Sequence, residues 1–193
     1  AFEESTGSVT GALDEMSQLL AIRGRVLPAT LDSVELVAEL SDGTILVGQE
    51  LISTTPGVTR VSLDPPPEAF VDVPSVIAGA HAVILGPGSL YTSVLASAAV
   101  PDIRRALEET PAPLLYVCNL GPQLHETDGY DVSDHVRALH RHGIKPDAVL
   151  FDPEMIGGAE TLEEAQPAQM AAVGTRVHDP ELLAKALAAV LGL

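Results

Sequence analysis

The sequence has one cysteine, no tryptophan and no long hydrophobic run. Because Cys118 is the only thiol, the chain can form neither an internal disulfide nor a zinc site built from several cysteines. A membrane-spanning helix needs about 18 or more consecutive apolar residues, and no such run occurs. The first residues, AFEE, also lack the basic start and apolar centre of a signal peptide. These absences predict a cytoplasmic protein without a membrane partner.

Positive charge is scarce as well. Ten Lys and Arg residues stand against 27 Asp and Glu residues, which gives a formal net charge of -17. This charge would repel a nucleic-acid backbone, so we expect no nucleic-acid partner. A small anion stays compatible with the composition, because backbone N–H groups can bind it locally while distant surface charges are screened over about 8 to 10 Å.

The first third of the chain has the pattern of a small antiparallel unit. Helical spacing of apolar residues over 9–22 predicts an amphipathic helix. Alternating apolar residues on both sides of the turn SDG predict a hairpin between residues 34 and 47. The stretch GVTRVSLDPPPEA predicts a third strand. We therefore assign residues 1–70 to an N-terminal helix and an antiparallel β subdomain.

Residues 71–193 alternate between strands and helices. The apolar stretches HAVILG, LLYVCN and DAVLFD predict strands, and a fourth strand is expected near Arg176. This alternation predicts an α/β fold, a parallel sheet covered by helices on both faces, with ligands at the carboxyl ends of its strands. A parallel sheet that starts without an opening βα unit leaves a strand edge bare, so we expect such a unit to be missing before Ala1. The helices are predicted over 101–109, 131–142 and 180–192.

The stretch AVILGPGSLYTS, residues 82–93, predicts a strand that ends in glycines and leads into a helix. Such a loop presents free N–H groups beside the positive end of the helix dipole, where a phosphate can bind. A plain β-to-α turn is the alternative. A side chain at Gly88 would block a phosphate and strain a glycine φ angle. The candidate ligand-binding residues in this loop are Gly86, Pro87, Gly88, Ser89 and Thr92.

Known nucleotide-binding and hydrolase motifs do not match this loop. Tyr91 stands where the third glycine of G-x-G-x-x-G would be, and the next strand ends in Asn119, where a ribose-binding acid would be expected. A nicotinamide cofactor is therefore not predicted. The sequence also contains no G-x-x-x-x-G-K-[ST] and no G-x-S-x-G.

A second polar loop, CNLGPQLHETDGYDVSDH, follows the strand that ends at Asn119 and precedes a helix that we expect to be capped near Ser133. A loop at this place carries ligand specificity or chemistry in many α/β proteins, although Asp128-Gly129 could simply form a turn. The histidines at 135, 140 and 142 share no helical face, so we expect most of these side chains to be solvent-exposed and predict no metal site. His125, Glu126 and Asp128 could contribute to a divalent-ion site only together with the phosphates of a substrate. The candidate residues are Asn119, Thr127, Asp128 and Tyr130 for ligand binding, and Asp128 and Glu126 for catalysis.

Five ordered blocks of sequence resemble the YvcK branch of the CofD-like family, the gluconeogenesis factors, which are relatives of 2-phospho-L-lactate transferase. The resemblance implies a Rossmann-like, nucleotide-binding α/β core. For the YvcK branch it implies a cytoplasmic regulator that binds UDP-sugars such as UDP-N-acetylglucosamine and supports carbon metabolism, cell shape and wall synthesis. The blocks are RGRVLPAT at 23–30, ILGPGSLYTSVL at 84–95, YVCNL at 116–120, ETDGYDVSDHVRAL at 126–139 and RVHDPELLAKAL at 176–187.

The resemblance adds further site residues. The branch places an arginine before a His-Asp pair at its UDP-sugar, and here Arg176 precedes His178-Asp179 with Val177 between them. Arg23, Arg25 and Pro28 belong to the first block and are expected to reach the same cleft. As the alternative, the two arginines pair with acidic residues on the surface. The family's GGGTG-type opening and the branch's ligand-associated tyrosine, expected between 155 and 170, are absent.

Two principal functions follow from these observations. A nucleotide-sugar-binding regulator is favoured, without turnover and with a homo-oligomer as a further expectation. The alternative is a CofD-like transferase that moves a group from a nucleoside diphosphate carrier, with Mg²⁺ on the diphosphate and a carboxylate acting as general base. A scaffold protein with an inactive cleft is a third reading that the acidic surface allows.

Overall fold

The structure, a computed structural model, describes residues 8–19, 21 and 23–193. Helix α1 spans Val9–Leu19, within the range that the apolar spacing predicted, and buries Ala12. Leu20, an apolar residue of the predicted pattern, lies outside the described residues.

A three-stranded antiparallel sheet follows, as predicted. Its strands are β1 (Glu35–Leu40), β2 (Ile45–Val47) and β3 (Val58–Asp64), in the order β2-β1-β3. Ala38 at the centre of β1 faces Leu46 on one side and Val61 on the other. A short helix, α2 (Gln49–Thr54), connects β2 to β3 and was not predicted, because six residues give too short a periodic pattern.

The second sheet has four parallel strands in sequential order. They are β4 (Val83–Leu85), β5 (Leu114–Val117), β6 (Ala148–Phe151) and β7 (Ala165–Pro167). The predicted α/β class is therefore confirmed. The strand expected near Arg176 is wrong, since Arg176 lies in the loop after β7 and β7 reads AQP, without the apolar run that marks a buried strand.

Helices cover both faces of the parallel sheet. No helix in the described part of the chain is long and apolar enough to cross a membrane. The cap expected near Ser133 lies two residues earlier, at Asp131, which exchanges hydrogen bonds with Asp134 in a capping box at the start of helix α6. The helices are α3 (Val73–Ala78), a π-helical segment (Leu90–Leu95) that runs into α4 (Ala96–Ala98), α5 (Pro101–Glu109), α6 (Val132–Arg141) and α7 (Pro180–Leu191).

Successive side chains of β5 point to opposite faces of the parallel sheet and belong to two separate hydrophobic clusters. Tyr116 faces a cluster that also contains Ala38 and Val61 of the antiparallel sheet, whereas Leu115 faces a cluster that packs against α7. The antiparallel sheet and one face of the parallel sheet thus share one hydrophobic core. This shared core sets the antiparallel sheet beside the π-helical segment, where Val58 and Tyr91 are both fully buried.

His135 of α6 is buried, with 0% of its surface exposed, and is therefore an exception to the expectation that most of the histidines are solvent-exposed. Its Nδ1 forms a hydrogen bond with the hydroxyl of Tyr116 at 2.9 Å, and its ring meets Tyr130 edge to face. Nε2 has no hydrogen-bond partner among the described residues. Burial lowers the pKa of His135 from its ordinary value of 6.5 to about 4.

The stability of the protein should therefore fall as the pH drops from 6.5 towards 4. In this window the unfolded chain binds a proton at His135 that the folded chain does not, which costs at most about 1.4 kcal/mol per pH unit. We expect His135→Gln to flatten the dependence of the unfolding free energy on pH, with His140→Gln, at an exposed position of the same helix, as the control. Urea unfolding at several pH values measures this, and an equal slope in parent and His135→Gln would contradict it.

Candidate functional site

A cavity of about 460 Å³ lies at the carboxyl ends of the parallel strands. Pro87 and Gly88 contribute from the loop after β4, and Asn119 and the residues that follow it contribute from the loop after β5. Arg176 and His178 close it from the loop after β7. Four of the predicted ligand-binding residues therefore surround one cavity: Pro87, Gly88, Asn119 and Arg176.

The first loop leaves β4 through Gly86, which has a positive φ of 83°. A Cβ atom at this position would lie 2.9 Å from the carbonyl oxygen of Val117, so only glycine is accommodated beside β5. Gly88 is different, because its φ is not positive and a Cβ there would make ordinary contacts with Ser93 and Val94. The strain expected at Gly88 therefore belongs to Gly86, while Gly88 lines the cavity.

The amino end of the π-helical segment is occupied by a carboxylate of the protein itself. Glu126, only 5% exposed, accepts hydrogen bonds from the backbone N–H groups of Tyr91 at 2.6 Å and Thr92 at 3.1 Å. The hydroxyl of Thr92 donates to its second oxygen at 2.9 Å. A negative charge is favourable at this end of the helix dipole. Thr92 is thus buried against Glu126 and does not line the cavity.

Gln123 joins the two loops across the site. Its side-chain amide donates to the hydroxyl of Ser89 and accepts from the amide of Asn119, each at 3.0 Å. Its backbone N–H donates to the hydroxyl of Thr127 at 2.8 Å. Gln123 is not among the predicted site residues, although it lies in the second polar loop. Its polar side chain, four residues after Asn119, is the signal that could have found it.

Asp152, at the end of β6, organises the loop that carries Arg176. It is 1% exposed and accepts hydrogen bonds from the backbone N–H groups of Met170 at 2.7 Å and Ala171 at 2.9 Å. The Arg176 guanidinium lies against the backbone of Gly121, where an added Cβ would be 3.5 Å from Nη1. Arg176 forms no ion pair with any residue that the structure describes.

His178 lines the cavity and has a ring nitrogen without a hydrogen-bond partner among the described residues. Burial lowers its pKa, while a hydrogen bond to the backbone of Cys118 and the negative charge of Asp152 act in the opposite direction. Nε2 is buried and has no partner among the described residues. Since a neutral imidazole has one donor and one acceptor nitrogen, the hydrogen-bonding capacity of Nε2 is unused by the described residues. The block RVHD in the sequence pointed to this histidine without fixing its role.

Three predicted residues of the second loop support the site from outside. Thr127 is fully buried, and its hydroxyl accepts from Gln123. Asp128 is exposed and accepts from the backbone N–H of His125 at 3.0 Å, as in the turn that the sequence offered as an alternative. The hydroxyl of Tyr130 bonds that of Tyr91 at 2.9 Å. None of the three lines the cavity.

The residues of the first sequence block lie elsewhere. Arg25 forms an exposed ion pair with Asp72 at 2.6 Å, as in the alternative reading of that block. Arg23 is exposed, Pro28 is partly buried, and neither lines the cavity.

The two predicted catalytic carboxylates are both used in local structure. Glu126 is held by the helix end and Asp128 by the turn, and the cavity lining contains no Asp or Glu. In the described residues, no group of three or more His, Cys, Asp or Glu side chains is arranged to hold a metal ion. The arrangement is therefore suited to binding through one cation and several neutral polar groups.

Comparison with known proteins identifies the family. Residues 1–189 match the family model described as 2-phospho-L-lactate transferase CofD. A Deinococcus radiodurans protein named "Putative gluconeogenesis factor" is 36% identical over 209 residues, which covers 95% of this chain and 45% of the relative. The Bacillus subtilis (strain 168) protein named "Gluconeogenesis factor" is 40% identical over 151 residues, with 74% of this chain and 45% of the relative covered.

A solved structure agrees with this relationship. A crystal structure of a member of the UPF0052 family from Bacillus halodurans matches with a TM-score of 0.83 and 31% identity, over 96% of this chain and 68% of that chain. The chain therefore belongs to the CofD family, and its relatives include proteins named gluconeogenesis factor, which confirms the resemblance found in the sequence. The chain spans about half the length of the curated relatives that it matches.

We expect Glu126→Gln to lower the free energy of unfolding by about 1 to 3 kcal/mol, because charge-assisted hydrogen bonds to two buried N–H groups are weakened. Asp128→Asn is the matched control, since Asp128 is exposed, and should change stability by less than about 0.5 kcal/mol. Urea unfolding monitored by circular dichroism compares them. Equal, small effects of both substitutions would show that Glu126 does not hold the helix end.

Proposed function

We propose that this chain contains the UDP-sugar-binding site of a cytoplasmic regulator of carbon metabolism, cell shape and wall synthesis, of the gluconeogenesis-factor type. The observation that carries the proposal is Arg176, a cation without an acidic partner among the described residues, beside a cavity at the carboxyl ends of the parallel strands. The homo-oligomer expected from the sequence stays a prediction.

Arg176 supports an anionic ligand. The chain has 27 acidic and only ten basic residues, and Arg176 is one of these ten at a cavity whose lining contains no Asp or Glu. Its guanidinium presents a fork of donors suited to diphosphate oxygens. Asp152 holds the loop that carries Arg176, and the Arg176 guanidinium lies beside the backbone of Gly121.

The remaining cavity groups suit the sugar and the base. Asn119 and Gln123 offer amide donors and acceptors, and His178 lines the same cavity with a ring nitrogen that has no partner among the described residues. The volume of about 460 Å³ is within the range of about 300 to 1,000 Å³ that small-molecule sites occupy. Neutral hydrogen-bonding groups of this kind fix the orientation of a ligand.

The position of the carboxylates favours binding over group transfer. A general base must reach the acceptor hydroxyl within hydrogen-bonding distance, directly or through one water molecule. The cavity lining has no carboxylate, and Glu126 is committed to Tyr91 and Thr92. The Mg²⁺-dependent transferase remains the alternative, and it predicts turnover of a nucleotide-linked group.

We expect UDP-N-acetylglucosamine to bind the protein and Arg176→Gln to weaken its binding by about tenfold or more, because a hydrogen-bonded charge on the diphosphate is lost. The control is Arg105→Gln, which removes the same charge from an exposed arginine on α5 that pairs with Asp102. Isothermal titration calorimetry gives the three affinities, and Arg105→Gln should match the parent.

Two results would contradict the proposal. The first is an absence of binding to UDP-, GDP- and adenine nucleotides alike. The second is Mg²⁺-dependent formation of a product from a nucleotide-linked substrate and an acceptor alcohol, which would establish the transferase alternative.

A further inference from the structure

A second cavity, of about 500 Å³, gathers much of the scarce positive charge of the chain. Three of the ten Lys and Arg residues line it, namely Arg60 from β3, Arg104 from α5 and Arg141 from the end of α6. Glu108 is the one carboxylate in the lining. We call this site the basic cavity.

The basic cavity lies away from the candidate nucleotide-sugar site. Helix α6 begins at Val132, next to the loop that carries Asn119 and Glu126, and ends at Arg141 in the basic cavity. Its ten residues rise by about 15 Å. The two cavities have no lining residue in common.

The charges in the basic cavity are poorly neutralised by the protein. Arg141 and Arg60 have no carboxylate partner among the described residues, and Arg104 reaches Glu108 only at 4.0 Å. Arg60 donates to the backbone carbonyl of Arg141 at 2.6 Å, which fixes its guanidinium but leaves its charge without a counter-ion. Clustered guanidinium groups repel one another, and a bound anion relieves that repulsion.

His142 forms a rigid support between the arginines. Its Nε2 accepts from the backbone N–H of Val61 at 2.9 Å, and its Nδ1 donates to the carbonyl of Ala138 at 2.7 Å. This neutral imidazole ties β3 to the end of α6, so Arg60, next to Val61, and Arg141, next to His142, are held close to each other. Burial lowers the pKa of His142, and the positive charges of Arg60, Arg141 and Arg104 lower it further.

Small residues keep the space open. Ala98 and Ala99 at the end of α4 and Gly143 after α6 line the cavity without filling it. Its volume is in the range of small-molecule sites, and arginine is the side chain best matched to phosphate oxygens. We propose that the basic cavity binds a small phosphorylated molecule, at a site separate from the nucleotide-sugar cavity.

Inorganic pyrophosphate is the probe for this site. The test variant is Arg104→Gln/Arg141→Gln, which removes two cavity charges and spares Arg60, whose guanidinium caps α6. The control variant is Arg105→Gln/Arg137→Gln, which removes the same net charge from the same two helices at exposed arginines that pair with Asp102 and Asp134 and do not line the cavity. Thermal unfolding without ligand verifies that both variants fold.

We expect calorimetry to show pyrophosphate binding to the parent, a loss of about tenfold or more in the test variant, and a change of less than about twofold in the control. In ¹H–¹⁵N NMR spectra of the parent, pyrophosphate should shift the amides of Ser62 and Gly143 and continue to do so in Arg176→Gln. Absence of binding, an equal loss in both double variants, or shifts confined to Gly88 and Gly121 would overturn the proposal.

Discussion

The hydrogen bonds of Glu126 to Tyr91 and Thr92 are the constraint on which the site depends. They fasten the long polar loop after β5 to the first turn of the helix after β4. The next residue, Thr127, holds the backbone of Gln123, and the side chain of Gln123 in turn reaches Ser89 and Asn119. The cavity between the first and second loops is therefore shaped by a chain of contacts that begins at one buried carboxylate.

This constraint also determines where a ligand charge can be bound. Burial of a carboxylate is costly unless it is hydrogen-bonded, and the N–H groups at the amino end of a helix offset that cost. Because Glu126 uses those groups, the favourable end of the helix dipole is already neutralised by the protein. The positive charge left at the cavity is that of Arg176, on a different loop held by Asp152. A diphosphate in this site would therefore be recognised by the guanidinium together with the backbone around Gly88.

The sequence predicted the parts of the fold that have strong local patterns. Alternation and apolar runs located both sheets, because β1 and β3 alternate in burial and β5 and β6 are buried along their whole length. Strand β7 was misplaced because Ala165–Pro167 has neither pattern and pairs only through its neighbour β6. The π-helical geometry at Leu90–Leu95 was not predicted either, since LYTSVL is equally compatible with an α-helix.

The loops that form the candidate site could be predicted from the sequence, but the function of each side chain within them could not. Parallel strands bring their carboxyl ends together, so Gly88 and Asn119 could be placed in one cleft from the strand order alone. The role of Glu126 could not, because an acid in a polar loop looks the same whether it faces a ligand or caps a helix 35 residues earlier. The same holds for His135, whose burial arises from the aromatic rings of Tyr116 and Tyr130 in the folded chain.

A crystal structure of the protein with UDP-N-acetylglucosamine tests the central claim most directly. The account predicts electron density for the diphosphate within hydrogen-bonding distance of the Arg176 guanidinium and beside Gly88, with the carboxylate of Glu126 still bonded to the N–H groups of Tyr91 and Thr92. A diphosphate bonded to those two N–H groups, with Glu126 displaced into solvent, would contradict it.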